Sequence, residues 1–138
     1  MNRFDFCDLM KRAKESSNLS SSELSFSMKM LLPTLRRFEK GEHNFSVGKV
    51  MEYLSVIHTK LIIYSDSSKK GFTNYEQLIL WLASERKKTY SQRALAEVIG
   101  ISYPMIARIE SQKSNLTIDL FLKIVDVLGY NIEIESIE

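Results

Sequence analysis

Residues 91–130 read SQRALAEVIGISYPMIARIESQKSNLTIDLFLKIVDVLGY, and the start and stop signals in this stretch divide it into three short helices. Ser91 offers a hydroxyl to the free N–H groups of a helix that runs through Val98, with Leu95 and Val98 three apart on one face. Gly100 follows where a left-handed C-terminal residue belongs, so only a tight turn can come next. Ser102 then caps a third helix, with Pro104 in the first turn, where its missing N–H costs little, and Ile106 and Ile109 on the buried side. Thr117 caps a fourth, whose apolar positions Leu120, Phe121, Ile124, Val125 and Leu128 recur at helical spacing until Gly129. Upstream, Asn74 and Gln77 form a capping-box pattern, and Leu78, Ile79 and Leu82 mark a first helix to about Arg86. Downstream, Asn131 to Glu135 alternates as NIEIE and predicts a short strand. Two short helices joined by a tight turn constitute a geometry that lays the second of them into a DNA major groove.

Sliding the 138-residue sequence along itself by 71 positions brings its halves into register without a gap from Ser20 to Ser65. Identities include Ser20/Ser91, Leu24/Leu95, Pro33/Pro104, Arg37/Arg108, Glu39/Glu110, Asn44/Asn115, Val56/Val127 and Ile63/Ile134. Phe45/Leu116, Val47/Ile118 and Leu61/Ile132 keep apolar character while changing shape, as cores tolerate. With one residue shifted, Phe6, Cys7, Met10 and Lys14 match Leu78, Ile79, Leu82 and Arg86. The expected fold is therefore mainly α: tandem helix-turn-helix four-helix units, each followed by a short strand, over residues 1–65 and 74–138. Residues 66–73 (DSSKKGFT), polar and aperiodic, read as a linker. The strands Lys60 to Tyr64 and Asn131 to Glu135 would be unpaired edges alone, so they should pair, in one chain or across a homodimer. The first unit departs from the second: Lys29 stands where the turn glycine belongs, Ser25 replaces the small alanine, and Leu31 takes the place of Ser102, a lost cap worth about 1 kcal/mol.

The run from Ser91 to Tyr130 resembles the XRE or Cro/CI-type helix-turn-helix domain of bacterial and phage repressors. The resemblance rests on Ser91-Gln92, Leu95-Ala96, Gly100, Ile109-Glu110 and Leu128-Gly129. LGYNIEIE is also similar to the strand that follows this domain in some toxin–antitoxin antitoxins. The resemblance implies lambda-repressor-like units and a double-stranded DNA-binding transcriptional regulator of repressor type, cytoplasmic and nucleoid-associated, of bacterial or phage origin. At about 100° per residue, inward Ile106 and Ile109 turn Arg108 outward, with Tyr103 and Met105 on the flanks. A guanidinium matches guanine O6 and N7, and Tyr103 and Met105 suit a thymine methyl. Thr34, Arg36 and Arg37 are the base-reading candidates of the first unit. Phosphate contacts fall to Ser91, Gln92, Arg93, Lys113, Ser114 and Asn115, and to Lys40, His43 and Asn44 in the first unit. Because the reading positions differ, the site should be an imperfect palindrome. Glu110 with Arg86, and Glu39 with Lys14, are expected to be structural ion pairs.

Nineteen Lys plus Arg against 17 Asp plus Glu leave a net charge of +2, so nucleic-acid binding has to come from a local patch. Residues 1–70 hold twelve basic and eight acidic side chains and residues 71–138 seven and nine, with Glu133, Glu135 and Glu138 close together at the end. One cysteine, Cys7, excludes an internal disulfide and a thiolate cluster, and suits a reducing compartment. No apolar run approaches the roughly 20 residues of a membrane span, and the charged N-terminus is not a signal peptide. His43 and His58 lack further ligands at metal spacing, and no cofactor motif or catalytic constellation is present, so neither a metal, a cofactor nor an enzyme is expected. Trp81, Phe4, Phe6 and Phe121 read as core, and Ser20 with Glu23 as a capping box. Two other functions fit the same residues: an antitoxin-like protein that binds a toxin and represses its own operon, and a protein-interaction module that does not bind DNA.

Overall fold

A computed structural model describes residues 1–137; Glu138 lies outside the described residues. The fold is mainly α-helical. Helices α1 (Arg3–Ser16), α2 (Ser21–Met28), α3 (Leu32–Lys40) and α4 (Val47–Val56) lead into β1 (Thr59–Tyr64) and β2 (Lys69–Phe72). Helices α5 (Tyr75–Thr89), α6 (Gln92–Ile99), α7 (Tyr103–Glu110) and α8 (Ile118–Val127) lead into β3 (Asn131–Ser136). No helix among the described residues is long and apolar enough to cross a membrane.

The two expected strands do pair, within one chain. β1 is the middle strand of an antiparallel sheet in the order β2-β1-β3. Residues 66–73 are thus no free connector. Lys69–Phe72 fold back on β1 with Leu61 opposite Phe72, because β1 offers a second row of backbone N–H and C=O groups that an edge strand of any polarity can satisfy. This occupies both edges of β1, so that strand cannot pair across a homodimer.

Two contacts between the helix sets are self-matched at the 71-residue offset. In the sheet, Ile62 faces Glu133, flanked by Leu61 opposite Ile134 and Ile63 opposite Ile132. At the starts of α4 and α8, Ser46 bridges Thr117; Val47 donates its N–H to the Leu116 carbonyl and Ile118 donates to that of Phe45, each at 2.8 Å. Replacing each residue by its counterpart 71 positions away, Val47 by Ile118 and Leu116 by Phe45, turns one of these bonds into the other. One hydrophobic core runs through both sets, centred on Phe6, Leu35, Tyr53, Leu78, Leu95 and Phe121, and Trp81 joins it between Phe72 and Tyr130, with ring centroids 5.3 and 5.1 Å away.

Caps follow the sequence in part. Ser20 with Glu23 completes a reciprocal capping box, Ser91 accepts from the Ala94 N–H, and Gly100 is left-handed at φ 78°. Ser102 occupies the N-cap of α7 but its hydroxyl makes no cap bond, since Pro104 removes one donor and the Met105 N–H bonds the Ser102 carbonyl instead. Leu31 therefore sacrifices nothing that Ser102 gains, and the expected 1 kcal/mol difference at this position disappears. Thr117 does not cap α8 with its side chain either: the other helix set does so, through the Phe45 carbonyl on Ile118 and the Asn44 amide oxygen on the Asp119 N–H at 3.0 Å. Lys29 adopts the left-handed conformation of its glycine counterpart, φ 55°, and the Met30 N–H reaches the Ser25 carbonyl as that of Ile101 reaches Ala96, both at 3.0 Å. The first turn is thus intact.

Two apolar side chains leave the faces expected of them. Phe4 is 56 % exposed, since two residues before Phe6 is about 200° around the helix from the buried stripe, and the Arg3 guanidinium covers its ring instead. Val98 is 54 % exposed, because α6 buries Leu95, Ala96 and Ile99 between α5, α7 and α8.

Candidate nucleic-acid interface

α7 is held against its neighbours by a buried ion pair. Arg86, 6 % exposed on α5, donates from Nε and Nη2 to the two carboxylate oxygens of Glu110 at 2.8 and 2.6 Å, and from Nη1 to the Tyr90 carbonyl at 3.1 Å. The Gln92 amide adds a bond to Glu110 at 2.8 Å from the first turn of α6. Burial alone would raise the Glu110 carboxyl, but the Arg86 guanidinium and the Gln92 amide hold it below the usual carboxylate range. Three helices therefore converge on one carboxylate, which fixes the α6–α7 angle.

The first helix set repeats this with weaker chemistry. Lys14 lies 3.1 Å from Glu39 and bonds the Ser21 hydroxyl at 2.8 Å, in the positions of Arg86, Glu110 and Gln92. A lysine makes one contact where arginine makes two, and the Tyr53 hydroxyl donates to the same Glu39 oxygen at 2.6 Å. Burial and the adjacent Glu39 push that phenol far above its ordinary range.

With Ile106 and Ile109 buried, α7 turns Tyr103, Met105 and Arg108 to solvent. Arg108 is not loose: its Nε donates to the Ser114 hydroxyl at 2.9 Å, and its carbonyl accepts from the Lys113 and Ser114 N–H groups at 2.8 and 3.2 Å. Arg93 lies with its guanidinium carbon 4.6 Å from the Tyr103 ring centroid, a cation–π contact that links α6 to the exposed start of α7. Ser91, Lys113 and Asn115 are exposed, and Ser114 is half-buried. Gln92 is half-buried with its amide engaged by Glu110, so that its side chain is already committed inward.

On α3, Thr34, Arg36 and Arg37 are exposed, with Arg37 Nη2 3.5 Å from the Thr34 hydroxyl, a contact at the limit of hydrogen bonding. Lys40 and His43 are exposed. Asn44 is exposed too, but its amide oxygen caps α8. The cation–π pair of the second set has no counterpart here, where Ser22 and Leu32 replace Arg93 and Tyr103. Phe26 and Leu31, both strongly exposed, were outside the sequence-based candidates. The signal available in the sequence was a leucine at a helix N-cap, read there only as a lost cap.

The sequence model of a helix-turn-helix family matches residues 82–134, from the middle of α5 through most of β3 and less than half of the chain. No curated protein and no solved structure matches.

Proposed function

We propose, from the match of residues 82–134 to a helix-turn-helix family and the resemblance of Ser91 to Tyr130 to the XRE, Cro/CI type of DNA-binding regulator, that the chain is a sequence-specific repressor that reads double-stranded DNA through α7. The observation that carries the reading is Arg108: exposed on the outer face of α7, opposite Ile106 and Ile109, and steadied by Ser114. A pre-positioned guanidinium loses less freedom when it engages guanine O6 and N7, a pairing worth roughly 1 to 3 kcal/mol of discrimination. Tyr103 and Met105 flank it for thymine methyls. Arg93, Lys113 and Asn115, with Lys40 and His43 from the first set, supply phosphate contacts.

The contacts matched at the 71-residue offset support a second element of the proposal. Ser46 against Thr117 and Ile62 against Glu133 support an approximate two-fold axis within the chain, one that would relate α3 to α7. One chain then does what two subunits do elsewhere, facing two half-sites about 34 Å apart. Unlike side chains on α3 and α7 make the operator an imperfect palindrome, and occupation of such a site represses by excluding polymerase.

A polarisation titration of a selected duplex at two salt concentrations tests the reading. Each phosphate contact adds about 0.9 to the slope of log affinity against log salt. A steep slope with one chain per duplex is expected. Salt-independent behaviour together with co-purification of a small protein would replace it with the protein-binding alternative.

A further inference from the structure

At two matched outward positions the first helix-turn-helix pair is apolar where the second is polar. Leu31, the N-cap residue of α3, is 77 % exposed, and Phe26 on α2 is 86 % exposed. Met30 and Leu32, half-buried, continue the patch, and all four line one shallow groove with Lys29. At the 71-residue offset, Phe26 corresponds to Glu97 and Leu31 to Ser102. No folding requirement accounts for the pair: neither side chain enters the core, and an exposed contiguous apolar patch marks a contact surface.

Charge and position bear on which kind of partner it suits. Among the described residues, Lys29 is the one charged side chain lining the groove, and Arg36, Arg37 and Lys40 follow it as exposed cations on α3. An apolar tip set among positive charges suits a polyanion that offers apolar groups. Duplex DNA is such a molecule, since the C5 methyl of thymine lies on the major-groove floor between two rows of phosphates. Leu31 also stands at the N-terminal end of its helix, the end from which a recognition helix reaches base edges.

We infer that Leu31, with Phe26 in the same groove, reads thymine methyl groups in the half-site under α3, while α7 reads guanine through Arg108. The inference rests on the DNA-reading function proposed above and adds to it a base preference for the first half-site. It also assigns different chemistry to the two halves of the operator: methyl burial under α3, bidentate hydrogen bonding under α7.

The test uses full-length protein and a duplex selected from a random library. Each thymine is replaced singly by deoxyuridine, which lacks only the C5 methyl, and affinities are measured for the wild type and for Leu31→Ser and Leu31→Met, whose melting temperatures are checked against the wild type. One buried methyl corresponds to about a four-fold change in affinity, taken from roughly 0.8 kcal/mol per buried CH₂. The expected result is at least one thymine whose replacement weakens wild type and Leu31→Met about four-fold and leaves Leu31→Ser unaffected, in the half-site insensitive to Arg108→Ala. The inference is overturned if a duplex is bound tightly but no uracil penalty depends on residue 31, or if Leu31→Ser weakens thymine and uracil duplexes alike. Failure to retain any duplex would instead remove the DNA-reading premise, and the inference with it.

Discussion

Glu110 accepts both hydrogen bonds of the Arg86 fork while almost no water reaches the guanidinium. Breaking such a pair from one side leaves a buried charge without compensation, which costs about 3 to 5 kcal/mol. Arg86→Leu should therefore lose about that much in urea unfolding, whereas Arg86→Met combined with Glu110→Leu should recover most of it. A double variant no better than the single one would show that the pair contributes net stability of its own.

The same carboxylate sets an acid limb. Glu110 is held below its unfolded value near 4.3. Its contribution is thus fully present above that pH and is lost as pH falls through the lower folded value. Glu110→Gln should flatten the fall in melting temperature between pH 5 and pH 3 (about one unit either side of that reference). An unchanged acid limb would assign the loss to other groups.

Lys29 carries a side chain in a conformation that costs about 1 kcal/mol outside glycine. Lys29→Gly should raise stability by up to that amount, and Gly100→Ala, at φ 78° with open space around the added Cβ, should lower it by a similar amount. Chemical denaturation of both variants checks this, and a destabilised Lys29→Gly would contradict it.

Arg108→Ala and Lys113→Ala separate reading from anchoring. The first should lose about 1 to 3 kcal/mol on the cognate duplex and relax preference at one position; the second should weaken every sequence alike and lower the salt slope by about one. Equal behaviour of the two variants on cognate and scrambled duplexes would remove Arg108 from the reading role.

Cys7 is buried, and burial pushes its thiol up to about 11. Alkylation at pH 8 should be negligible in the folded protein and should proceed at the unfolding rate. Rapid labelling under native conditions would show that the α1–α3 contact around Cys7 opens readily.

The parts of this fold that were legible in the sequence are those written in local chemistry: the capping box at Ser20, the left-handed Gly100, the helical stripes, and two acid–base pairs at matching positions. The strand pairing was legible too, because lone strands leave unpaired backbone. What escaped depends on partners far away in sequence. Nothing near Thr117 announces that Asn44 and Phe45 supply its helix with acceptors, and KKGF shows no alternation because β1, not its own side chains, makes it a strand. Lys29 misled in the opposite direction, since two backbone hydrogen bonds hold the turn that glycine would merely make easier. At the candidate interface, the exposure of Arg108, Tyr103 and Met105 followed from helical angle alone, whereas Gln92 and Asn44 could be seen to be engaged elsewhere only once the α6–α7 contact and the Ser46–Thr117 bridge were placed.

The placement of β1 between a near neighbour and a remote one orders the events of folding. β2 lies a few residues downstream and can close a hairpin within microseconds, whereas β3 has to return across the whole second helix set. In the interval, the side of β1 that will receive β3 is bare beside Leu61, Ile62 and Ile63, and a second nascent molecule could add its own strand there. The charge that receives the late strand is already in place in the early hairpin, since Lys69 of β2 lies 3.9 and 2.6 Å from Glu133 and Glu135 of β3.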